Sequence, residues 1–313
     1  MKNRFAFTII ELIFVIVVMG ILAKFGVGFI AQAYKGFLYE NVNHTLQSES
    51  EQAVEFIAKK LEYRIKDSVI ARTKIGGAAE PIGSIDPAAN KYTVLEWIGV
   101  DNDGFRGTTA PYWSGIIDLD SSSASILTSQ DTNTTAIDNL IGELSNKNAT
   151  IADAALYFVG SNSDAKTDYG WSGKLAYINS QKGAIHPIKS VAGNSTQFQS
   201  STGSNFSGVD VYEYYKLAWT AYAIVMTNYD KVEKTGTLKL YYNYQPWLDK
   251  DNDGLADQFN KAPNVKSSII MENVSDFQFF SVGSIVKIKV CTKSKVLKKD
   301  GGDYSLCKEK TIF

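Results

Sequence analysis

The sequence predicts an α+β fold, in which a long N-terminal helix packs against an antiparallel β-sheet. An apolar run at the N-terminus continues into a stripe of apolar residues at helical spacing, which extends to about Val69. The rest of the chain consists of short apolar or alternating segments separated by turn residues, a pattern typical of antiparallel strands. Because the helical pattern comes first and the strands follow it, the order differs from that of parallel βαβ folds.

The apolar run from Phe5 to Ala23 is 19 residues long, and Glu11 is its only charged residue. A helix needs about 20 apolar residues to cross the hydrocarbon core of a bilayer. Lys2 and Arg4 precede the run, so the positive-inside rule places the N-terminus in the cytoplasm and exports the remainder. A cleaved signal peptide, a plain signal anchor and a more specialised segment are the alternatives.

Glu11 decides among these alternatives. A charged side chain near the centre of a membrane helix costs about 2.5–3.5 kcal/mol on insertion scales, so such residues normally have a partner. Thr8 and Val15, one helical turn away on either side, are uncharged. The sequence therefore predicts that the partner of Glu11 is created by cleavage of the chain or supplied by another molecule.

The segment "RFAFTIIELIFVIVVMGILA" resembles the N-terminus of type IV prepilins and type II secretion pseudopilins. The resemblance implies that a prepilin peptidase removes a leader from Met1 to Ala6 and that the new N-terminus, Phe7, is methylated. It also implies that Glu11, the fifth residue of the mature chain, pairs with the N-terminal amine of a neighbouring subunit and sets the register of a filament. Two buried charges that are costly alone are tolerated as a pair.

This N-terminal segment departs from the family pattern in two places. Ala6 stands before the cleavage site, where the family usually has glycine, and the proline that often kinks pilin helices is missing. Gly26 and Gly28 occupy the region of that proline and allow local loosening of the helix. The resemblance covers about the first 30 residues only and identifies the superfamily, while the position of the chain within it stays open.

The resemblance implies a pilin-like architecture in four parts. Residues 1–6 are the leader, residues 7–30 the transmembrane and filament-core helix, residues 31–70 its amphipathic continuation, and residues 71–313 a periplasmic β-rich domain. The protein would be a single-pass protein of a bacterial inner membrane, with the N-terminus cytoplasmic and the C-terminal domain periplasmic. Its implied partners are other pilin or pseudopilin subunits, prepilin peptidase and the inner-membrane assembly platform.

The length of the chain and its polar insertions favour a minor pseudopilin of a type II secretion pseudopilus within this superfamily. A minor type IV pilin for adhesion, motility or DNA uptake is the alternative within the same class. A membrane-anchored periplasmic binding module that does not polymerise is the alternative from a different class. A net charge of −1 argues against nucleic acid as a partner.

The helical stripe and the strands can be assigned segment by segment. The stripe consists of Val42, Leu46, Val54, Ile57, Leu61, Ile65 and Val69, surrounded by charged residues. The predicted strands are residues 93–100, 154–160, 184–188, 211–226, 237–244, 267–273 and 276–282 and a C-terminal pair. Three polar stretches, residues 118–135, 160–173 and 192–208, are predicted to be exposed mobile loops, and "TAIDNLIGELSN" to be a short helix.

The stretch "LDKDNDGLADQFN" has the spacing of an EF-hand-type calcium loop, in which alternate carboxylates converge on one cation. The predicted calcium ligands are Asp249, Asp251, Asp253, the carbonyl of Leu255, Asp257 and Asn260. Asn260 replaces the usual bidentate glutamate, so modest affinity is expected. Asp-Asn-Asp-Gly is also a good turn sequence, which is the alternative interpretation. A similar half-motif at residues 101–104 is interpreted as a turn because no acidic residue completes it.

The two cysteines, Cys291 and Cys307, lie at the facing ends of two alternating segments. A disulfide between them would close a loop and stabilise the fold by about 3 kcal/mol in the chain-entropy model. It would place the domain in an oxidising compartment. Two unrelated thiols are the alternative.

Catalytic motifs are weak in this sequence. It contains two histidines, His44 and His186, and "GWSGKL" resembles only the end of a phosphate loop. A nucleophile elbow, a complete phosphate loop, a metalloprotease helix and a Cys-x-x-Cys pair are all missing from the sequence. The sequence therefore predicts a protein that is not an enzyme.

Overall fold

The computed structural model describes residues 8–86, 91–299 and 302–313. The predicted processing residues Ala6 and Phe7 lie outside these described residues. The helices are α1 (Ile9–Glu62), α2 (Asn102–Arg106), α3 (Thr134–Leu144) and α4 (Ala176–Asn179). The first eight strands are β1 (Ile70–Arg72), β2 (Glu80–Pro81), β3 (Val94–Gly99), β4 (Leu127–Thr128), β5 (Ala155–Phe158), β6 (Ile185–Val191), β7 (Asn194–Ser200) and β8 (Tyr215–Ala218). The remaining strands are β9 (Thr220–Asp230), β10 (Thr235–Tyr244), β11 (Lys266–Val282), β12 (Ile285–Lys299) and β13 (Gly302–Ile312).

Helix α1 contains 54 residues and is about 80 Å long. Its C-terminal part packs on the sheet through one face, and the buried residues there are Leu46, Ser50, Ala53, Val54, Ile57, Ala58 and Leu61. The long helix and the antiparallel strands confirm the predicted α+β class. The spacing of these residues confirms the predicted apolar stripe over this part of the helix.

The helix ends at Glu62, so the prediction that it continues to about Val69 was wrong. The chain turns away because its backbone joins β3: the Ile65 N–H donates to the Ile98 carbonyl at 2.9 Å. Arg64 is buried at this corner, and its guanidinium donates to the Leu61 and Ser284 carbonyls, each at 2.7 Å. A cation at the C-terminus of a helix interacts favourably with the last carbonyls. Arg64 therefore fixes the end of α1 to the β11–β12 turn.

Two antiparallel sheets follow α1 in the described part of the chain. The larger sheet has the order β13-β12-β11-β10-β9-β3-β1-β2, and the smaller has the order β4-β7-β6-β5-β8. One face of the larger sheet forms a hydrophobic core with α1, and its other face forms a second core with residues such as Trp171 and Trp247. The smaller sheet and α3 enclose a third core. The domain therefore has three layers: α1, the larger sheet and the segment between β3 and β9, residues 100–219. We call this segment, which contains α3 and the smaller sheet, the insertion module.

The structure corrects several of the strand and loop predictions, and β1, β2 and β4 were not predicted as strands. Residues 211–226 are not one strand, because β8 belongs to the smaller sheet and β9 to the larger, with Trp219 between them. Residues 267–273 and 276–282 are not separate strands but parts of β11, which contains a register shift between Val274 and Asp276. The stretches 118–135 and 192–208 contain β4 and β7, so they are not simply loops. The stretch 160–173 is not exposed throughout, because Tyr169 and Trp171 are buried.

The predicted disulfide is present between β12 and β13. Cys291 and Cys307 occupy directly opposite positions of the two strands and are bonded to each other. Lys308 and Lys310, which follow Cys307, form ion pairs with Glu51 and Glu55 of α1. The disulfide-linked strands therefore hold the C-terminus of the chain against the helix.

Candidate functional site

The first half of α1 exposes its apolar side chains. The most apolar 18-residue window has a mean hydropathy of 2.5, and none of it is buried. Phe14 and Phe25 expose 68% and 73% of their surface. Because water disfavours so much apolar surface, the helix is compatible with a single-pass membrane anchor.

Glu11 lies in the first turn of α1 and has a partner within its own chain. Thr8 is the N-cap: its backbone N–H and its hydroxyl donate to Glu11 Oε2 at 2.9 and 3.0 Å, and the Glu11 N–H donates back to Thr8 Oγ1 at 3.3 Å. This is a capping box, in which the two side chains satisfy backbone donors of the first turn. The expectation that any partner must come from cleavage or another molecule was therefore incomplete, because Thr8 donates two hydrogen bonds to Glu11 Oε2 without neutralising the charge.

The predicted calcium loop connects β10 to β11. Carboxylate oxygens of Asp249, Asp251 and Asp253 all lie within 4.8 Å of one another. The loop is wrapped around Asp249, whose two oxygens accept from the Asp253 N–H at 3.1 Å and the Gly254 N–H at 2.9 Å. Gly254 has a φ of +81°, which a glycine adopts without strain. The sequence spacing thus brings the first three predicted ligands together, as a hard cation would require.

Asp257 supports the same interpretation from inside the fold. It is only 3% exposed, and its Oδ2 atom has no hydrogen-bond partner among the described residues. Burial raises the pKa of Asp257 to about 6, and the carboxylates of Asp251 and Asp249 add to the increase. A buried carboxylate oxygen without a donor is costly, and a cation would remove this cost. The oxygen-only set of side chains fits calcium in its chemistry.

The remaining predicted ligands lie around one cavity of about 580 Å³. Leu255, Asp257 and Asn260 line it together with Asp251 and Asp253. They are not part of the close carboxylate cluster, which consists of Asp249, Asp251 and Asp253. The structure therefore clusters three of the six predicted ligands, and the other three line the cavity that two of the clustered aspartates also border.

Sequence reasoning missed a buried ion pair beneath this cavity. The Arg72 Nε donates to Glu96 Oε1 at 2.5 Å, and the Tyr244 hydroxyl donates to Glu96 Oε2 at 3.1 Å. Arg72 also donates to the Trp171 carbonyl at 3.0 Å and to Gln258 Oε1 at 2.8 Å. Burial raises the pKa of Glu96, and Arg72 opposes this increase. The pair links the larger sheet to the calcium-loop segment.

The half-motif at residues 101–104 was interpreted as a turn, but it forms the start of the short helix α2, where its role is structural. Asp101 is buried and caps α2: its Oδ1 accepts from the Gly104 N–H at 3.1 Å, and its Oδ2 accepts from Trp113 Nε1 at 3.2 Å. Burial raises the pKa of Asp101 to about 6. The partners of both oxygens are protein groups, so a cation is not required to satisfy them.

Comparison of the chain with models of protein families, with curated proteins and with solved structures gave no match.

The insertion module contains a histidine that we expect to make it acid-sensitive. His186 is 3% exposed, its Nδ1 lies 2.9 Å from Gln181 Oε1, and burial lowers its pKa to about 4. A histidine buried in its neutral form contributes stability above its ordinary pKa, and this contribution is lost as the pH falls toward the folded-state pKa. The loss amounts to about 3 kcal/mol at most.

Chemical unfolding between neutral pH and about pH 4 tests this prediction. His186→Gln is expected to flatten the decrease of the unfolding free energy, while His44→Gln, at an exposed position on α1, leaves the decrease unchanged. Equal pH dependence in wild type and His186→Gln would contradict the role of His186.

Proposed function

We propose that this chain is a membrane-anchored subunit of a periplasmic filament, and specifically a minor pseudopilin of a type II secretion pseudopilus. The observation that supports this most is the division of α1 into an exposed apolar half and a half that packs on an antiparallel sheet. A plain anchor needs only the first half. A continuous helix of about 80 Å carries the domain at a fixed distance from the membrane and offers a surface on which identical helices can stack.

The charges near the N-terminus and the disulfide support the proposed orientation of the chain in the membrane. Lys2 and Arg4 precede the apolar run, which supports a cytoplasmic N-terminus under the positive-inside rule. The disulfide between Cys291 and Cys307 suits an oxidising compartment such as the periplasm. Cleavage before Phe7 creates an amine four residues from Glu11. That amine, on a neighbouring subunit, would provide the positive charge that Thr8 lacks, so that Glu11 sets the stagger between subunits.

The insertion module favours a minor subunit over a major one. It adds a sheet and a hydrophobic core of its own to the domain, on the side of the larger sheet opposite to α1. In a filament whose core is made of the α1 helices, this side faces outward. The same feature suits a minor type IV pilin, and it suits a membrane-anchored binding module that does not polymerise.

The mass of the N-terminus in protein purified from membranes tests the filament proposal. We expect a chain that begins with N-methyl-Phe7. A chain that retains residues 1–6 would indicate a static anchor and would overturn the proposed role of Glu11. Ala6→Gly, which restores the residue that the family usually has, should speed processing or leave it unchanged.

We further propose that the loop from Asp249 to Asn260 binds calcium as a structural ion. Because its affinity is expected near about 1 mM, about 10 mM calcium should stabilise the protein by about 1.4 kcal/mol, or roughly 3–5 °C in melting temperature. Asp251→Ala should abolish this increase, since it removes one of the clustered carboxylates. Asp210→Ala, at another exposed aspartate, should preserve it. A wild type that shows no increase with calcium would overturn the proposal.

A further inference from the structure

The N-terminal half of β11 pairs with another described strand along only one of its two edges. Residues 266–272 precede the part of β11 that pairs with β12, because that pairing begins with Val274 of β11 opposite Thr292 of β12. On its other side, this half of β11 pairs with β10. Beyond Thr292, β12 pairs with β13 only. Within the part of the chain that the structure describes, no strand pairs with the second edge of residues 266–272.

A groove of about 590 Å³ lies along this edge. Its β11 wall consists of six consecutive residues, Ser268, Ile269, Ile270, Met271, Glu272 and Asn273. Successive side chains of a strand point to opposite faces, so a wall of consecutive residues is formed by the edge of the strand and its backbone. The opposite wall is one face of α1, formed by Glu49, Gln52, Ala53 and Phe56.

The chemistry of the groove specifies its occupant. Unpaired backbone N–H and C=O groups of a strand are satisfied best by another extended chain, which adds to the sheet. Phe56 and Ile269 expose 41% and 55% of their surface, so alternate apolar side chains of such a chain can be buried there. Glu49 and Glu272 line the groove, and none of the described residues that line it is a lysine or an arginine. The charge therefore complements basic side chains.

We propose that residues 268–272 and the facing surface of α1 bind an extended, basic segment of a partner protein as an additional strand of the larger sheet. The backbone edge provides the hydrogen bonds, Phe56 and Ile269 provide apolar contacts, and Glu49 and Glu272 select for positive charge. This surface lies on α1 above its membrane-spanning half. The inference rests on the contacts of this surface within one chain and is independent of the filament proposal.

Fluorescence anisotropy with full-length protein in detergent micelles tests the proposal. The probe is a labelled peptide of about nine residues that alternates lysine and valine. We expect saturable binding of this peptide, and at least about tenfold weaker binding of two relatives. One has glutamate in place of lysine, and the other is N-methylated at its internal amides, which removes the donors and keeps the side chains.

Protein variants locate the binding surface. Ile269→Lys places a charge on the strand edge, and Glu272→Lys reverses the selecting charge, so each should weaken binding at least about tenfold. Val232→Lys and Glu233→Lys make the same changes on the exposed β9–β10 turn and should not affect binding. Hydrogen exchange of the amides of residues 268–272 should slow when the peptide binds.

Three results would overturn the proposal. One is the absence of binding of the lysine–valine peptide up to about 1 mM, which corresponds to a binding free energy weaker than about 4 kcal/mol. Another is equal binding of the N-methylated peptide, which would show that strand pairing is not involved. The third is binding that Ile269→Lys and Glu272→Lys leave unchanged, which would place the peptide elsewhere.

Discussion

We expect Glu11→Gln to reduce incorporation of this chain into filaments at least about tenfold, while the membrane-anchored monomer accumulates at the wild-type level. Glutamine at the third position of a helix can still accept from the N-cap residue, so the capping box with Thr8 survives the substitution. What the substitution removes is the negative charge. In the proposed filament, the neutral glutamine side chain would no longer compensate the buried amine of a neighbouring subunit, and that amine would become the costly group.

Thr8→Val is the matched control for this prediction. Valine has nearly the shape of threonine but no hydroxyl, so it removes the Thr8 side chain from the capping box and leaves the charge of Glu11 in place. If the charge sets the register, Thr8→Val should assemble at close to the wild-type level. The measurement is the amount of each variant in sheared filaments relative to the amount in membranes.

The opposite pattern would assign a different role to Glu11. If Glu11→Gln assembles normally and Thr8→Val does not, the capping of α1 is the function of the pair, and the charge is incidental. Normal assembly of both variants and of Glu11→Val would remove Glu11 from the assembly mechanism. Each pattern is distinguishable because the three substitutions separate charge, hydrogen bonding and side-chain volume.

The helical spacing of apolar residues predicted α1 well. One side of the second half of α1 is buried, and a helix with one buried side has apolar residues at this spacing. The prediction failed at the end of the helix. Ile65 and Val69 continue the helical spacing and are buried, but the chain there follows β3. Whether the chain adds another helical turn or pairs with β3 depends on residues about 35 positions away. The local spacing of apolar residues therefore cannot predict where the helix ends.

The sequence predicted strands over β5, β6 and β8 and a helix at α3, but not that they form a separate sheet and core, and the composition of the insertion module explains why. Serine, threonine and asparagine predominate in its sequence, which indicates loops. The core of the module depends on a few widely spaced large residues, among them Trp113, Phe198 and Phe206, all of them buried. Such residues are brought together by the pairing of β5, β6 and β7, and their spacing along the chain has no period to detect.

The clustering of the three aspartates depends on local spacing, and the disulfide depends on two facing strand ends, so both were predictable from the sequence. The alternation of Asp249, Asp251 and Asp253 is sufficient to cluster their carboxylates. The buried ion pair was not predictable in this way. Arg72 and Glu96 are 24 residues apart. Glu96 lies in a predicted strand, whereas Arg72 follows the predicted end of the helix and was assigned to no element. Their pairing follows from the register of β1 against β3.

Arg72→Met is expected to destabilise the domain by about 3–5 kcal/mol, because it leaves the Glu96 carboxylate buried without its cation. In a domain of this size the melting temperature should decrease by roughly 10 °C. Lys166→Met is the control, since the ion pair of Lys166 with Glu80 is exposed and should contribute less than about 1 kcal/mol. Thermal and chemical unfolding of the three proteins compares the two pairs directly.

The double variant Arg72→Met, Glu96→Met, compared with Arg72→Met and Glu96→Met, tests whether the two charges are energetically coupled. Removing both charges eliminates the uncompensated carboxylate, so the double variant should be more stable than Arg72→Met alone. Additive losses from the two single substitutions would show that Arg72 and Glu96 are not coupled. Because Arg72 also holds Gln258, next to Asp257, its loss should reduce the calcium-dependent increase in melting temperature as well. An undiminished increase in Arg72→Met would show that the calcium loop is ordered independently of the ion pair beneath it.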